Sequence, residues 1–126
     1  MKRILIVDDE SVMAETMLLM LNGRGYRASM AGDGRQAAEL IRKDPPDLVI
    51  SDLAMPVMDG LQLLEWLRDH RSLDNVKFMI MTGKQNVLGP LKRHHLEADD
   101  SIAKPFTEAQ LLAMVEKLIG PSVSGE

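Results

Sequence analysis

Residues that could act together chemically stand at the ends of several apolar segments of this sequence. Asp8 and Asp9 follow the first segment, and Asp52 follows the third. Thr82 ends the fourth segment, and Lys104 follows the fifth. Each residue alone is an ordinary loop residue. If the segments are parallel strands, however, all five side chains converge at one edge of a sheet.

Three converging carboxylates require a cation. Two like charges about 5 Å apart repel by roughly 3 kcal/mol at an effective dielectric of about 20. Oxygen ligands without histidine or cysteine favour Mg²⁺, with Mn²⁺ as a substitute. Lys104 supplies a point charge and Thr82 a hydrogen-bond donor, the groups that stabilise a phosphoryl group. A carboxylate in such surroundings can itself be the nucleophile.

The elements that must position these residues alternate along the chain. Apolar runs suited to strands covered on both faces are separated by segments with helical periodicity, which predicts a parallel sheet with helices on both sides. The predicted strands are 3–7, 26–31, 47–51, 77–82 and 101–103. The predicted helices are 11–22, 35–43, 61–71, a segment within 86–95, and a last helix beginning after Thr107.

The helix ends and faces can also be predicted. Ser11, Asp59 and Thr107 are placed to cap helices, the last within a capping-box pattern, "TEAQ". The helical periodicity turns these residues toward the core: Val12, Met13, Met17, Leu18 and Leu21 of the first helix, and Ala37, Ala38, Leu40 and Ile41 of the second.

Length and composition limit the possible classes of protein. The 126 residues suffice for one domain, and no apolar run approaches the roughly 20 residues of a membrane span. The sequence has no cysteine and no signal peptide pattern, which favours a cytoplasmic protein without disulfides. A net charge of −4 disfavours direct binding to nucleic acid.

Four short motifs carry a family resemblance: "VDDE", "DLAMPVMDG", "MTGK" and "AKPF". In this order, they make residues 2–119 resemble a CheY-like receiver domain of a response regulator. The resemblance implies a flavodoxin-like (βα)5 fold, a doubly wound five-stranded parallel sheet of order 2-1-3-4-5. We expect the domain to cover residues 1–120, followed by a tail or linker at 121–126.

The resemblance also implies an activity. Asp52 would take a phosphoryl group from a phosphohistidine on a sensor histidine kinase or a histidine phosphotransfer protein, in a Mg²⁺-dependent reaction. Lys104 and Thr82 would each bind a phosphoryl oxygen. The modified chain would switch conformation to control a downstream protein target or an attached effector domain. It would not be an enzyme in the usual sense, with at most slow autodephosphorylation.

The metal ligands are implied in the same way. Asp9 and Asp52 would bind Mg²⁺ directly, together with the backbone carbonyl of Ala54, and Asp8 would act mostly through a water molecule. The sequence departs from the family at Ser101, where relatives carry an aromatic switch residue, and at Glu97, where glycine is frequent. We therefore expect the response to run mainly through residues 82–89 and the following helix.

Two other functions share parts of this pattern. A Mg²⁺-dependent phosphatase with an aspartyl nucleophile would need a second acid two positions after Asp52, where the sequence has Ala54. A flavin-binding module would need a Ser/Thr/Gly loop after the first strand, where "VDDES" is acidic. The pair His94 and His95 fits a helix C-terminus better than a metal site, and Trp66 fits a half-buried structural position.

Overall fold

The computed structural model describes residues 2–83 and 98–122, and within them it contains five strands and four α-helices. The elements in chain order are β1 Arg3–Val7, α1 Ser11–Asn22, β2 Arg27–Ala31, α2 Gly34–Lys43, β3 Leu48–Asp52, α3 Gly60–Arg68, a 3-10 turn Arg71–Leu73, β4 Lys77–Thr82, β5 Asp100–Ala103 and α4 Glu108–Ile119. The described helices include none long and apolar enough to cross a bilayer.

All five strands form one parallel sheet in the order β2-β1-β3-β4-β5, which confirms the predicted fold class. The register aligns the strand ends, because Val7 pairs with Ser51 and Thr82 pairs with Ala103. Residues that follow these strands therefore meet at one edge of the sheet, as the sequence predicts.

The sheet separates two apolar clusters. Because both faces are covered, consecutive residues of β1 enter opposite clusters: Leu5 packs on the side of α2 and α3, and Ile6 on the side of α1 and α4. This arrangement explains why the strands read as continuous apolar runs rather than as alternating ones.

Two residues expected in the core are not there. Val12 is 77% exposed and Leu40 is 42% exposed, so both predictions are wrong. At about 100° per residue, Val12 lies opposite the face of α1 that buries Ala14 and Met17. Leu40 lies roughly 100° from the buried face of α2, where small residues and Ile41 contact the sheet.

The ends of several elements differ by a few residues from prediction. β3 runs one residue further and includes Asp52 as its last member, and α3 already ends at Arg68. Ser11 is the first residue of α1 rather than its cap; Glu10 takes the cap position without a side-chain bond. The predicted helix within 86–95, the His94–His95 pair and residues 123–126 lie outside the described residues.

The other two predicted caps are confirmed. Asp59 accepts a hydrogen bond from the Gln62 N–H at 2.8 Å, and the Gln62 side chain accepts from the Asp59 N–H. Thr107 and Gln110 form the same reciprocal pair at the start of α4. Reciprocal hydrogen bonds of this kind therefore fix the first turns of α3 and α4.

Tyr26 ties the start of β2 to the end of α4 and offers a test of the packing. Its buried hydroxyl donates to the Gly120 carbonyl at 2.9 Å. Burial, assisted by the nearby Glu116 carboxylate, raises the pKa of Tyr26 above its usual 10.0. Stability from this group is complete below pH 10 and falls as the pH rises further, because the unfolded chain then binds fewer protons.

We expect phenolate absorbance to appear at a higher pH in the native chain than in the chain in denaturant. Tyr26 is the sole tyrosine, so the signal has one source. Tyr26→Phe should remove the transition and cost about 1 kcal/mol of the free energy of unfolding. Identical midpoints in native and unfolded chain would show that the hydroxyl is not held as described.

Candidate functional site

The candidate site is built where β1, β3, β4 and β5 end. Asp8 follows β1 and is buried; its N–H donates to the Ala31 carbonyl at 3.1 Å, and its Oδ1 accepts the Glu10 N–H at 2.9 Å. Asp52 ends β3, and its Oδ1 accepts the N–H of the next residue, Leu53, at 2.8 Å. Each carboxylate thus has one oxygen held by the backbone and one oxygen, Oδ2, facing the site.

Lys104 joins these two free oxygens. Its Nζ lies 3.3 Å from Asp52 Oδ2, 3.5 Å from Asp8 Oδ2 and 3.9 Å from Glu10 Oε1. The lysine follows β5 and is fixed at its backbone, because its N–H donates to the Thr82 carbonyl at 2.7 Å. The peptide bond from Lys104 to Pro105 is cis.

Burial and the charges of this cluster shift the pKa values of two groups. Burial raises the pKa of Asp8, against the opposing effects of the Glu10 N–H and the Lys104 ammonium. Burial alone would lower the pKa of Lys104, but the combined attraction of Asp8 and Asp52 outweighs it and raises the pKa. Lys104 is therefore a permanent cation at neutral pH, suited to binding an anionic oxygen.

Carboxylate oxygens of Asp8, Glu10 and Asp52 lie within 4.8 Å of one another. Such a donor set fits a hard cation such as Mg²⁺, which prefers oxygen ligands and few carboxylates. Asp9 is exposed and lies outside this group. Glu10, whose side chain is 69% exposed, stands in the group instead. The sequence signal for Glu10 is its place as the third acid in "DDE", directly before α1.

The other residues that the sequence singles out lie at different positions relative to this edge. Thr82 is the half-buried last residue of β4. Ala54 is exposed, two residues beyond Asp52. Ser101 lies half-buried in β5 and pairs with Ile80, deeper in the sheet than Lys104. Glu97 and most of the segment expected to carry the response, from residue 84 onward, lie outside the described part of the chain.

The loop between β3 and α3 contains a strained turn. Val57 has φ of 69°, and the Met58 N–H donates across it to the Pro56 carbonyl at 2.7 Å. This is a three-residue γ-turn with positive φ, a conformation that a β-branched residue rarely adopts. The turn is fixed at its end, because the Met58 carbonyl accepts the Gly34 N–H at 3.0 Å.

We expect Val57→Gly to stabilise the chain by about 1 kcal/mol, because relief of roughly 2 kcal/mol of strain exceeds the entropic cost of glycine. Val57 is 73% exposed, so little packing is lost. Val12→Gly is the matched control, an exposed valine on a helix, and should destabilise by up to about 1 kcal/mol. Urea unfolding measures both; a Val57→Gly variant less stable than wild type would contradict the strain.

Trp66 occupies the half-buried structural position that the sequence predicts. It packs against the α2–α3 side of the core. Its ring lies 4.6 Å from that of His70 and 6.0 Å from the Arg42 guanidinium. The His70 ring nitrogen Nδ1 is also 2.7 Å from the Trp66 carbonyl. The contact of Arg42 with Trp66 connects α2 with α3.

Comparison with known proteins agrees with this geometry. The model of the response regulator receiver domain matches residues 4–116. The DNA-binding response regulator MtrA of Mycobacterium tuberculosis is 36% identical over 114 residues, which are 90% of this chain and 49% of that protein. The chain thus spans about half the length of the curated relatives it matches.

Solved structures show the same architecture. The signal receiver domain of a histidine kinase from Syntrophus aciditrophicus has a TM-score of 0.86 at 31% identity, covering 100% of this chain and 95% of that one. The receiver domain of a sensor histidine kinase from Pseudomonas aeruginosa, with magnesium coordinated in its active site cleft, has a TM-score of 0.83 at 28% identity, covering 94% and 98%. This chain belongs to the response regulator receiver domain family, the phosphoacceptor modules of two-component signalling.

Proposed function

We propose that Asp52 is the phosphoacceptor and that a phosphohistidine on a sensor kinase or phosphotransfer protein is the donor. The observation that supports this most directly is the position of Asp52 Oδ2. This oxygen lies 3.3 Å from the Lys104 ammonium, at the edge of the sheet where the strands end. The other oxygen is already bound by a backbone N–H. One carboxylate oxygen is thus held and the other is presented.

In the proposed reaction, an oxygen of Asp52 forms a bond to phosphorus while the bond from phosphorus to the donor imidazole breaks. The imidazole leaves with the electron pair of that bond and takes up a proton. Lys104 and Thr82 bind phosphoryl oxygens and stabilise the charge that spreads over them. The rigid end of β3 holds the attacking oxygen in line with the leaving nitrogen.

We propose that Mg²⁺ is held by Asp9, Asp52 and the carbonyl of Ala54, with Asp8 acting through an intervening water. The ion supplies a positive charge that neutralises the phosphoryl oxygens during transfer. Glu10 competes with Asp9 for this role, because its carboxylate is the one that lies near Asp8 and Asp52.

A thermal titration with Mg²⁺ should separate these two candidate ligands. Wild type should gain stability by mass action, about 2.7 kcal/mol at a hundred times the dissociation constant. We expect Asp9→Ala to lose most of this gain and Glu10→Ala to keep it. If Glu10→Ala loses the response while Asp9→Ala keeps it, the acidic group of Asp8, Glu10 and Asp52 is the metal site, and the ligand set implied by the family resemblance is wrong for this chain.

Phosphorylation is proposed to switch the chain between two packings near β4, with Thr82 drawn to the new phosphoryl oxygens. The switch would control a protein target or an attached effector domain, and autodephosphorylation would be slow.

We propose residues 1–120 as the receiver domain and 121–126 as a tail or linker. The matched family model ends at residue 116, and α4 ends at Ile119. The proposed compartment is the cytoplasm.

DNA binding is part of the name of MtrA, whereas we propose that this chain does not itself contact nucleic acid. The proposal rests on the net charge of −4 and on the cluster of Asp8, Glu10 and Asp52 at the site. A protein that neutralises several phosphates needs clustered basic residues. Retention of the chain on a DNA fragment at physiological salt would overturn it.

The function is tested by incubation with acetyl phosphate and measurement of intact mass. We expect the mass of one phosphoryl group to be added with Mg²⁺ and nothing to be added when the metal is chelated. The adduct should be lost at alkaline pH, as expected of an acyl phosphate. Absence of a Mg²⁺-dependent adduct, or multiple turnover of phosphate esters, would contradict a phosphoacceptor role.

A further inference from the structure

Ser51 is a buried polar residue directly before the phosphoacceptor. In the part of the chain that the structure describes, Ser51 and Asp8 are, apart from Tyr26 with its hydroxyl, the buried residues with polar or charged side chains. Asp8 belongs to the site, but Ser51 points to the opposite face of the sheet from Asp52, the face on which Val49 packs under α2 and α3. A hydroxyl at this position contributes less to packing than a larger apolar side chain.

The Ser51 hydroxyl has one specific partner. Its Oγ donates to the main-chain carbonyl of Asp52 at 2.8 Å. That carbonyl belongs to the peptide unit joining Asp52 to Leu53. The N–H of the same peptide unit donates to Asp52 Oδ1 at 2.8 Å. One peptide unit is therefore held at its oxygen by Ser51 and at its nitrogen by the carboxylate of Asp52.

The two contacts are coupled by covalent geometry. A trans peptide is planar, so its carbonyl and N–H point in opposite directions and turn together. Any rotation that frees the carbonyl from Ser51 also moves the Leu53 N–H away from Oδ1. A hydrogen bond to the carbonyl also polarises the amide and strengthens its N–H as a donor.

The carbonyl is confined from a second direction. A Cβ atom added to Gly60 would overlap the Asp52 carbonyl oxygen and would come within 3.0 Å of the Leu53 Cα. The Gly60 N–H in turn donates to the Leu53 carbonyl at 2.9 Å. The start of α3 and the hydroxyl of Ser51 thus enclose the peptide unit that follows the phosphoacceptor.

We propose that Ser51 is a positioning residue for phosphoryl transfer, through the Asp52–Leu53 peptide. By fixing this peptide, Ser51 keeps Oδ1 bound to the Leu53 N–H and leaves Oδ2 facing Lys104 and the incoming phosphoryl group. The terminal torsion of an aspartate is intrinsically broad, so the carboxylate needs such a tether to hold one orientation. The inference rests on the proposed role of Asp52 as phosphoacceptor.

The first test reads the tether itself, without metal or phosphodonor. In a nitrogen–proton correlation spectrum, the Leu53 amide proton should lie downfield in wild type and move upfield in Ser51→Ala. Ser51→Thr retains a hydroxyl and should stay close to wild type, as should Val49→Ala, which trims the same face of β3. A Leu53 resonance that is unmoved in Ser51→Ala, or that moves equally in Val49→Ala, overturns the proposal.

The second test reads the reaction. With acetyl phosphate and saturating Mg²⁺, the labelling rate of Ser51→Ala should fall roughly 3- to 10-fold, the value of one hydrogen bond. Ser51→Thr should recover most of the rate, and Val49→Ala should keep it at temperatures where all variants are folded. Equal slowing in Ser51→Ala and Val49→Ala would show a merely structural role. If wild type is not labelled, the proposed function fails, while the Leu53 amide still decides whether Ser51 holds the peptide.

Discussion

Replacement of Asp52 by asparagine is expected to abolish phosphoryl labelling of this chain. The amide oxygen that replaces the carboxylate oxygen is a poor nucleophile. The neutral amide also loses the electrostatic attraction to Lys104, whose Nζ lies 3.3 Å from Asp52 Oδ2. The change keeps the shape of the side chain, and its oxygen can still accept the Leu53 N–H. A folded but unlabelled variant should result.

The matched control is Asp59→Asn, at the end of the loop that follows Asp52. Asp59 caps α3, and asparagine caps helices about as well as aspartate, so this variant should fold normally and be labelled at the wild-type rate. Intact mass after incubation with acetyl phosphate and Mg²⁺ measures all three proteins. Labelling of Asp52→Asn at a rate near that of wild type would place the phosphoacceptor elsewhere.

The sequence predicts the frame of this site well, for a physical reason. Strands covered on both faces are apolar throughout, so the first polar residue after each run marks its carboxyl end. Parallel strands bring those ends together without any knowledge of side-chain packing. Asp8, Asp52 and Lys104 can therefore be predicted to lie together from the sequence alone, and in the structure one oxygen of each carboxylate lies within 3.5 Å of Lys104 Nζ.

The details that sequence reasoning misses depend on orientation. Val12 lies on α1, which carries apolar residues on every side, so the apolar pattern does not decide which of them face the sheet. Leu40 lies roughly 100° from the face of α2 that is buried. The choice between Asp9 and Glu10 depends on the turn of the backbone after β1, which leaves Asp9 outside the acidic group. Residue types alone do not encode either direction.

Close approaches between distant backbone segments are the hardest features to predict. Ser51 reads as the polar end of an apolar strand, and Gly60 reads as a helix start, until the structure shows both against the same carbonyl. Such contacts depend on interatomic distances to within tenths of an ångström. A sequence pattern predicts only the face of a helix or strand on which a residue lies. The structure therefore identifies both as constraints on Asp52.

Gly60→Ala is expected to destabilise the chain by about 2 kcal/mol or more. Gly60 is the first residue of α3, where helix propensity alone would favour alanine by up to about 1 kcal/mol. The added methyl group would overlap the Asp52 carbonyl oxygen and lie 3.2 Å from the carbonyl carbon, both rigid backbone atoms at the end of a central strand. Overpacking against atoms that cannot move aside outweighs the gain in propensity.

Gly32→Ala separates this overlap from any general effect of replacing a loop glycine. A Cβ at Gly32 would meet only the far end of the Gln36 side chain, at 3.6 Å, so its stability should change by less than about 1 kcal/mol. Thermal unfolding should show a loss of roughly 10 °C for Gly60→Ala. Labelling by acetyl phosphate should also slow in Gly60→Ala below its melting temperature, because any shift that accommodates the methyl group displaces the peptide next to Asp52. Equal melting temperatures for the two variants would mean that the backbone at the end of β3 moves at little cost in free energy. The enclosure of the Asp52 carbonyl would then not fix the position of the phosphoacceptor.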